Sequence, residues 1–192
     1  MDKKVLDVKW VYAKKDENLF KSRLVVRGFQ QEEYVENIYA PVTKMQSLKI
    51  LLSYCVRFGL KIEQMDVETA FLNGKINSEI YVEQPEGFMT KSEEYVCKLN
   101  KTLYGLRESP RAWYDVFDKY ITQLGFVKCE FEVCLYVLVN DNDQIFIILF
   151  VDDTLICSKN ESNIQKIKQF LSEKFKMKDL GKIKKYLGIN RI

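Results

Sequence analysis

Residues 144–157 read Gln-Ile-Phe-Ile-Ile-Leu-Phe-Val-Asp-Asp-Thr-Leu-Ile-Cys, two apolar runs with Asp152 and Asp153 set between them. Ile145 to Val151 and Thr154 to Cys157 are β-branched, aromatic or aliphatic almost throughout, so they read as buried strands with the acid pair at the hairpin turn. That position is costly. Two carboxylates about 4 Å apart repel by roughly 4 kcal/mol at an effective dielectric near 20, which a divalent cation or a shared proton relieves. An ordinary Asp-rich turn is the competing reading, since aspartate tolerates turn geometry and bonds its own backbone. Asn140-Asp-Asn-Asp143 reads as such a turn.

Composition narrows the chemistry. The 192 residues contain no histidine, which removes Ser-His and Cys-His triads, His-ligated zinc and imidazole acid/base chemistry. Any catalysis must rest on carboxylates, lysines, backbone and metal. Five cysteines form no C-x-x-C pair and most sit among apolar residues, so reduced, packed thiols are expected. The longest apolar run, Ile145 to Val151, is far short of the ~20 residues of a membrane span. A soluble, intracellular protein without membrane contact follows as the expectation. A net charge of +3 permits nucleic-acid binding without arguing for it. Basic residues gather at Lys14, Lys15, Lys21, Arg23 and Arg27, and again from Lys174 to Arg191, where solvated faces compete with phosphate-tracking ones.

Taken in order, Val8–Ala13 and Phe20–Val26 alternate as a hairpin. Thr43 and Gln46 are spaced as a capping box for a helix whose apolar positions recur to Gly59, a C-cap. Lys61–Val67 alternates like a strand and ends beside a third acid, Asp66. Ile80–Val82 and Tyr95–Leu99 read as strands around a Pro/Gly loop. Ser109-Pro110 predicts a helix start, serine as N-cap, with Trp113, Phe117, Tyr120, Ile121 and Leu124 on one apolar face up to Gly125. Val133–Val139 pairs with Ile145–Val151, a third helix spans about Ser162 to Phe175, and Ile183–Ile192 reads as a last strand pair.

The expected fold class is α+β. After residue 60 the order is β-α-β-β-α-β, that of a ferredoxin-like antiparallel sheet with helices on one face. In that order the first strand lies beside the central hairpin, so Asp66 is expected beside Asp152 and Asp153. Three carboxylates on adjacent strands suit two Mg²⁺ ions, which take hard oxygens and keep waters. Two such metals clamp the attacking and leaving oxygens of an in-line displacement at phosphorus. There is no Walker A loop and no G-x-G-x-x-G.

The segments Arg23-Leu-Val-Val-Arg-Gly-Phe-Gln30, Ala40-Pro-Val42, Gln64-Met-Asp-Val-Glu-Thr-Ala-Phe-Leu-Asn-Gly74, Cys97-Lys-Leu-Asn-Lys101, Leu103-Tyr-Gly-Leu106, Ser109-Pro-Arg-Ala-Trp113, Phe150-Val-Asp-Asp153 and Tyr186-Leu-Gly-Ile189 occur in one order along the chain. Together they resemble the reverse transcriptase of copia-type LTR retrotransposons. The resemblance implies polymerase fingers over residues 1–60, a soft boundary that leaves part of 75–100 free to join them, and a palm over 61–192 that stops before a thumb. It implies catalytic and metal-ligating roles for Asp66, Asp152 and Asp153, with the Val67 carbonyl as a further metal ligand and Mg²⁺, or Mn²⁺ in its place, as cofactor.

It also places Lys21 and Arg23, with Arg27 as a third candidate, near the incoming dNTP. Phe71 matches the steric gate against a ribose 2′-OH, for which an ordinary core phenylalanine is the competitor. Tyr104 and Gly105 match the nucleotide pocket, and Tyr186 to Gly188 the primer-positioning hairpin. Implied partners are an RNA or DNA template with its primer, dNTPs, and the thumb and ribonuclease H of a longer Pol protein. The implied location is cytoplasmic, within a virus-like particle if the element is active. The chain departs from the family at Phe150, where tyrosine is usual, at Glu108 in place of glutamine, and at Glu68 in place of a frequent lysine. Two other readings stay open: a non-enzymatic remnant that binds nucleic acid or protein, and another palm-fold phosphotransferase such as a cyclase.

Overall fold

The computed structural model describes residues 3–32, 38–90, 92, 94–140 and 143–190. In chain order the elements are β1 (Val5–Leu6), β2 (Val8–Asp16), β3 (Leu19–Val26), α1 (Met45–Phe58), β4 (Lys61–Val67), β5 (Tyr81–Val82), β6 (Cys97–Lys98), α2 (Ser109–Gln123), β7 (Val127–Lys128), β8 (Leu135–Asn140), β9 (Asp143–Phe150), β10 (Asp153–Ser158), α3 (Glu161–Lys174), β11 (Met177–Lys182), β12 (Lys185–Tyr186) and β13 (Ile189–Asn190). The α+β class expected from the sequence is borne out. Residues 1–40 with 71–116 form one compact unit, and residues 41–70 with 117–192 form another. Residues 141 and 142 of the expected Asn-Asp turn lie outside the described residues, as does Arg191.

The second unit is built on a sheet of order β11-β4-β10-β9-β8-β7. Each neighbouring pair is antiparallel. Alternation sends successive side chains to opposite faces. One face carries Ile62, Leu155, Cys157 and Ile148, which pack with Leu48, Leu51, Leu52 and Cys55 of α1 and with Tyr186. On the opposite face, Phe117 of α2 meets Tyr136 of β8, with ring centroids 6.0 Å apart, and Phe175 at 6.1 Å. α3 joins that face through Lys168, which forms a salt bridge with Glu63 of β4. Helices therefore cover both faces. α2 and α3, the two helices of the expected β-α-β-β-α-β pattern, lie on one face, and α1, which precedes residue 60, brings its apolar stripe to the other.

Two helix starts also differ from expectation. Thr43 does not cap α1; its hydroxyl donates to the Leu149 carbonyl at 2.5 Å, and the N-cap is Lys44 without a side-chain bond. Ser109 begins α2 itself, and its hydroxyl donates to the Leu103 carbonyl at 2.6 Å. In both, a nearby carbonyl wins the hydroxyl from the helix end. Gly59 closes α1 in the left-handed conformation, as expected.

Two buried polar clusters tie this unit together. Lys168, 5% exposed, bonds both Glu63 and Asp179, the latter at 2.6 Å. Burial opposes its charge, but these two carboxylates hold the ammonium above the ordinary lysine value. Asp143 accepts from the Ser158 hydroxyl, from Asn163 Nδ2 at 2.8 Å, and from the backbone N–H groups of Lys159 and Asn160. Burial opposes its ionisation too, yet those donors keep the carboxyl below the usual aspartate value.

In the first unit, β1, β5 and β6 form a small sheet, and β2 pairs with β3 as a hairpin. Leu6, Val26, Ile80, Val82 and Leu106 make its core. The Val26 N–H donates to the Tyr104 carbonyl at 2.8 Å. Gly105, at φ 92°, lies so close to the end of β3 that an added Cβ would stand 2.0 Å from the Val26 carbonyl oxygen. Only glycine allows that approach.

Candidate active site

β9 and β10 are joined by a two-residue turn, because Phe150 pairs with Asp153 and leaves Val151 and Asp152 between them. Val151 adopts φ 59°. Positive φ at the first of two turn residues is the type II′ pattern that glycine normally occupies, so a β-branched residue there is strained. The strain sits beside the acid pair.

Asp153, the first residue of β10, is the register partner of Asp66 on β4. Directly opposed residues on an antiparallel pair share a face, with Cβ atoms roughly 4.5–5.5 Å apart, and like charges there are destabilising. On its other side Asp66 is opposite Lys178 of β11. One face thus carries the row Lys178, Asp66, Asp153, Phe150. Asp152 lies in the turn, where its carbonyl accepts from the Val67 N–H at 2.8 Å. Asp66, Asp152 and Asp153 are half-buried and Val67 is buried. Gln64, two residues before Asp66 and so on its face, donates from Nε2 to Asp153 Oδ1 at 2.9 Å.

Among the described residues, no three His, Cys, Asp or Glu side chains form a ready-made metal cage. Two facing carboxylates and a third in the adjoining turn are instead a hard, partial oxygen set. Such a set fits magnesium, whose coordination waters and substrate phosphates complete.

The residues expected near the incoming nucleotide lie in the first unit. Lys21 and Arg23 alternate onto one face of β3, opposite Ala13 and Val11 of β2. The Arg23 guanidinium lies over the Tyr104 ring, 5.3 Å from its centroid. Tyr104 in turn meets Phe71, with centroids 5.1 Å apart. Phe71 is half-buried, and its carbonyl accepts from the Thr102 hydroxyl at 2.5 Å. It is therefore neither a closed core ring nor a free one. Gly105 follows Tyr104 and is exposed. Arg27 pairs with Asp7 at 3.3 Å. A cation stacked on one ring of an aromatic pair, with Lys21 on the same strand face, is suited to a phosphorylated, planar ligand.

Gln64 and the Val151 strain went unread in the sequence, as did the place of Lys178 beside Asp66. Gln64 was legible in principle, since period-2 spacing puts it on the face of Asp66. Lys178 as the neighbour of Asp66 depends on register, which sequence does not set. The Val151 strain becomes visible only once the turn is known to hold two residues.

The model of the family described as reverse transcriptase (RNA-dependent DNA polymerase) matches residues 1–192. A Pol polyprotein from transposon TNT 1-94 of Nicotiana tabacum is 43% identical over 97% of the chain, and one from transposon RE1 of Arabidopsis thaliana is 35% identical over 96%. A putative transposon Ty5-1 protein of Saccharomyces cerevisiae is 38% identical over 66% of the chain. The chain spans 15% and 13% of the two plant relatives' own length. The resemblance read from the ordered motifs is thereby borne out, and the chain belongs to the reverse transcriptase (RNA-dependent DNA polymerase) family.

Proposed function

We propose that the chain is a fingers-and-palm part of an RNA-directed DNA polymerase that adds deoxynucleotides to a primer 3′-hydroxyl. The observation that carries this is the pairing of Asp66 with Asp153 on adjacent strand ends, beside Asp152 in the turn, in a member of this family. The unit holding the sheet would be the palm; its four strands β11-β4-β10-β9 follow the spatial arrangement of a β-α-β-β-α-β sheet, with β8 and β7 added outside. The unit of residues 1–40 and 71–116 would be the fingers.

Asp66 and Asp152 hold the metals in this reading, with Asp153 and the Val67 carbonyl in support. Two magnesium ions, or manganese in their place, would supply charge neutralisation at the primer oxygen and the phosphates. The primer 3′-oxygen forms its bond to the α-phosphorus as the bond to pyrophosphate breaks, and the hydroxyl proton leaves to solvent. Arg23 and Lys21 bind the triphosphate, Tyr104 and Gly105 line the nucleotide pocket, and Phe71 presents its ring to the sugar to exclude a 2′-OH. Template, primer and the other domains of a Pol polyprotein are the partners, inside the cell.

The test is primer extension by the purified chain on an RNA template with dNTPs and Mg²⁺ or Mn²⁺. Extension is expected, and Asp152→Asn should abolish it. Activity that survives the substitution would sink the mechanism.

A further inference from the structure

The β12–β13 hairpin brings a second polar group to the acidic face. Tyr186 is 2% exposed, and its ring packs with Leu155, Cys157 and Ile148 on the sheet face that carries Asp153 and Asp66. Its hydroxyl is buried without a hydrogen-bond partner among the described residues. A buried hydroxyl left unpaired costs about 1–3 kcal/mol, so native structures rarely keep one without a water or ion in reach. Burial first, and then the negative charges of Asp153 and Asp152, push the phenol well above its ordinary value. The hydroxyl is a buried donor on the sheet face that carries Asp153 and Asp66. The neighbouring Asp153 is already oriented on one oxygen by Gln64.

We propose that Tyr186 is a positioning residue for the acidic site: its hydroxyl donates, through one ordered water, to the Asp153 carboxylate. The bridge satisfies the buried hydroxyl and gives the water two polar partners in a half-buried site. It also couples the hairpin to the carboxylates, so that a shift of β12 is felt at Asp153. The role in metal binding rests on the function proposed above; the bridge itself does not.

Tyr186→Phe removes the oxygen and keeps the ring. Melting of the metal-free chain in EDTA is the first readout. A bridged hydroxyl makes Tyr186→Phe lower Tm by about 2–4 °C in the parent chain and by much less in an Asp153→Asn background. An unchanged or raised Tm in the parent chain, or an equal loss in both backgrounds, overturns the bridge. The second readout is Mn²⁺ binding by the full chain, followed calorimetrically. Tyr186→Phe is expected to weaken it about tenfold, since partners that orient metal ligands typically matter on that scale. Ile183→Ala, which trims packing against the same core cluster, keeps the hydroxyl and should lower Tm without that loss of affinity; an equal loss of affinity would assign the effect to packing and overturn the positioning role. A parent chain that binds no Mn²⁺ counts against the proposed function, while the melting result decides the bridge independently.

Discussion

Asp66 and Asp153 are direct register partners across β4 and β10, two carboxylates on the sheet face whose core cluster, packed against α1, is built of apolar side chains. The arrangement is unfavourable without a cation, which Lys178 on the far side of Asp66 only partly offsets from an exposed position. Neutralising one acid should therefore stabilise the metal-free protein. Asp153→Asn is expected to raise stability by about 0.2–1 kcal/mol in EDTA, and the gain should shrink or reverse in Mg²⁺. Thermal melting in the two buffers measures it.

Val151 bears on the same turn from another side. Its φ of 59° suits glycine, and relief of about 1–3 kcal/mol of strain outweighs the roughly 0.5–1 kcal/mol entropic cost that glycine brings. Val151→Gly should raise the urea midpoint modestly. A lowered midpoint would show that the valine side chain contributes more than its backbone costs.

Phe71 sits against Tyr104, which carries Arg23 on its ring. If its ring is what a ribose would strike, Phe71→Val should improve ribonucleotide incorporation relative to deoxynucleotide by about 10–200-fold, the range that a few methylene-sized groups supply. Single-nucleotide extension with each substrate measures the ratio. An unaltered ratio would leave Phe71 a packing residue.

Lys168 forms ion pairs with buried Glu63 and with exposed Asp179. Lys168→Met should cost about 3–5 kcal/mol, because Glu63 is left charged and buried. Adding Glu63→Leu should recover most of that loss. Urea unfolding of the single and double variants tests both.

Asp143 carries a pH dependence. Its folded-state value lies below the unfolded one, so its contribution is fully present above the unfolded aspartate value, near 4, and is lost as pH falls through the folded value. Asp143→Asn should cost about 1.5–3 kcal/mol at pH 7, and the gap to the parent chain should narrow below about pH 4. Melting curves from pH 7 to pH 3 follow it.

Much of the sheet was legible from the sequence because its strands are short runs of β-branched and aromatic residues bounded by turn signals. The strand of Lys61–Val67, the pair Asp152-Asp153 at a hairpin turn and the Gly59 stop all correspond to local chemistry. Helix starts read less well. Thr43 and Ser109 carry hydroxyls that suit a cap, but donation to the carbonyls of Leu149 and Leu103 orients each hydroxyl away from the helix amides it would otherwise accept from.

Sequence by itself determined the family, through motifs in one order, and the residue types available to the chemistry: carboxylates and lysines, never imidazole. Alternation and turn residues also located several strands to within a few residues, because both act between near neighbours, but left β11 unread. Only the tertiary structure decided that Asp66 faces Asp153 and Lys178, that α1 covers the sheet face opposite α3, and that Asp143 and Lys168 are buried hubs rather than turn and surface charges. Register and burial are set by contacts between residues distant in the chain, and a local pattern holds no record of which partner a strand will meet.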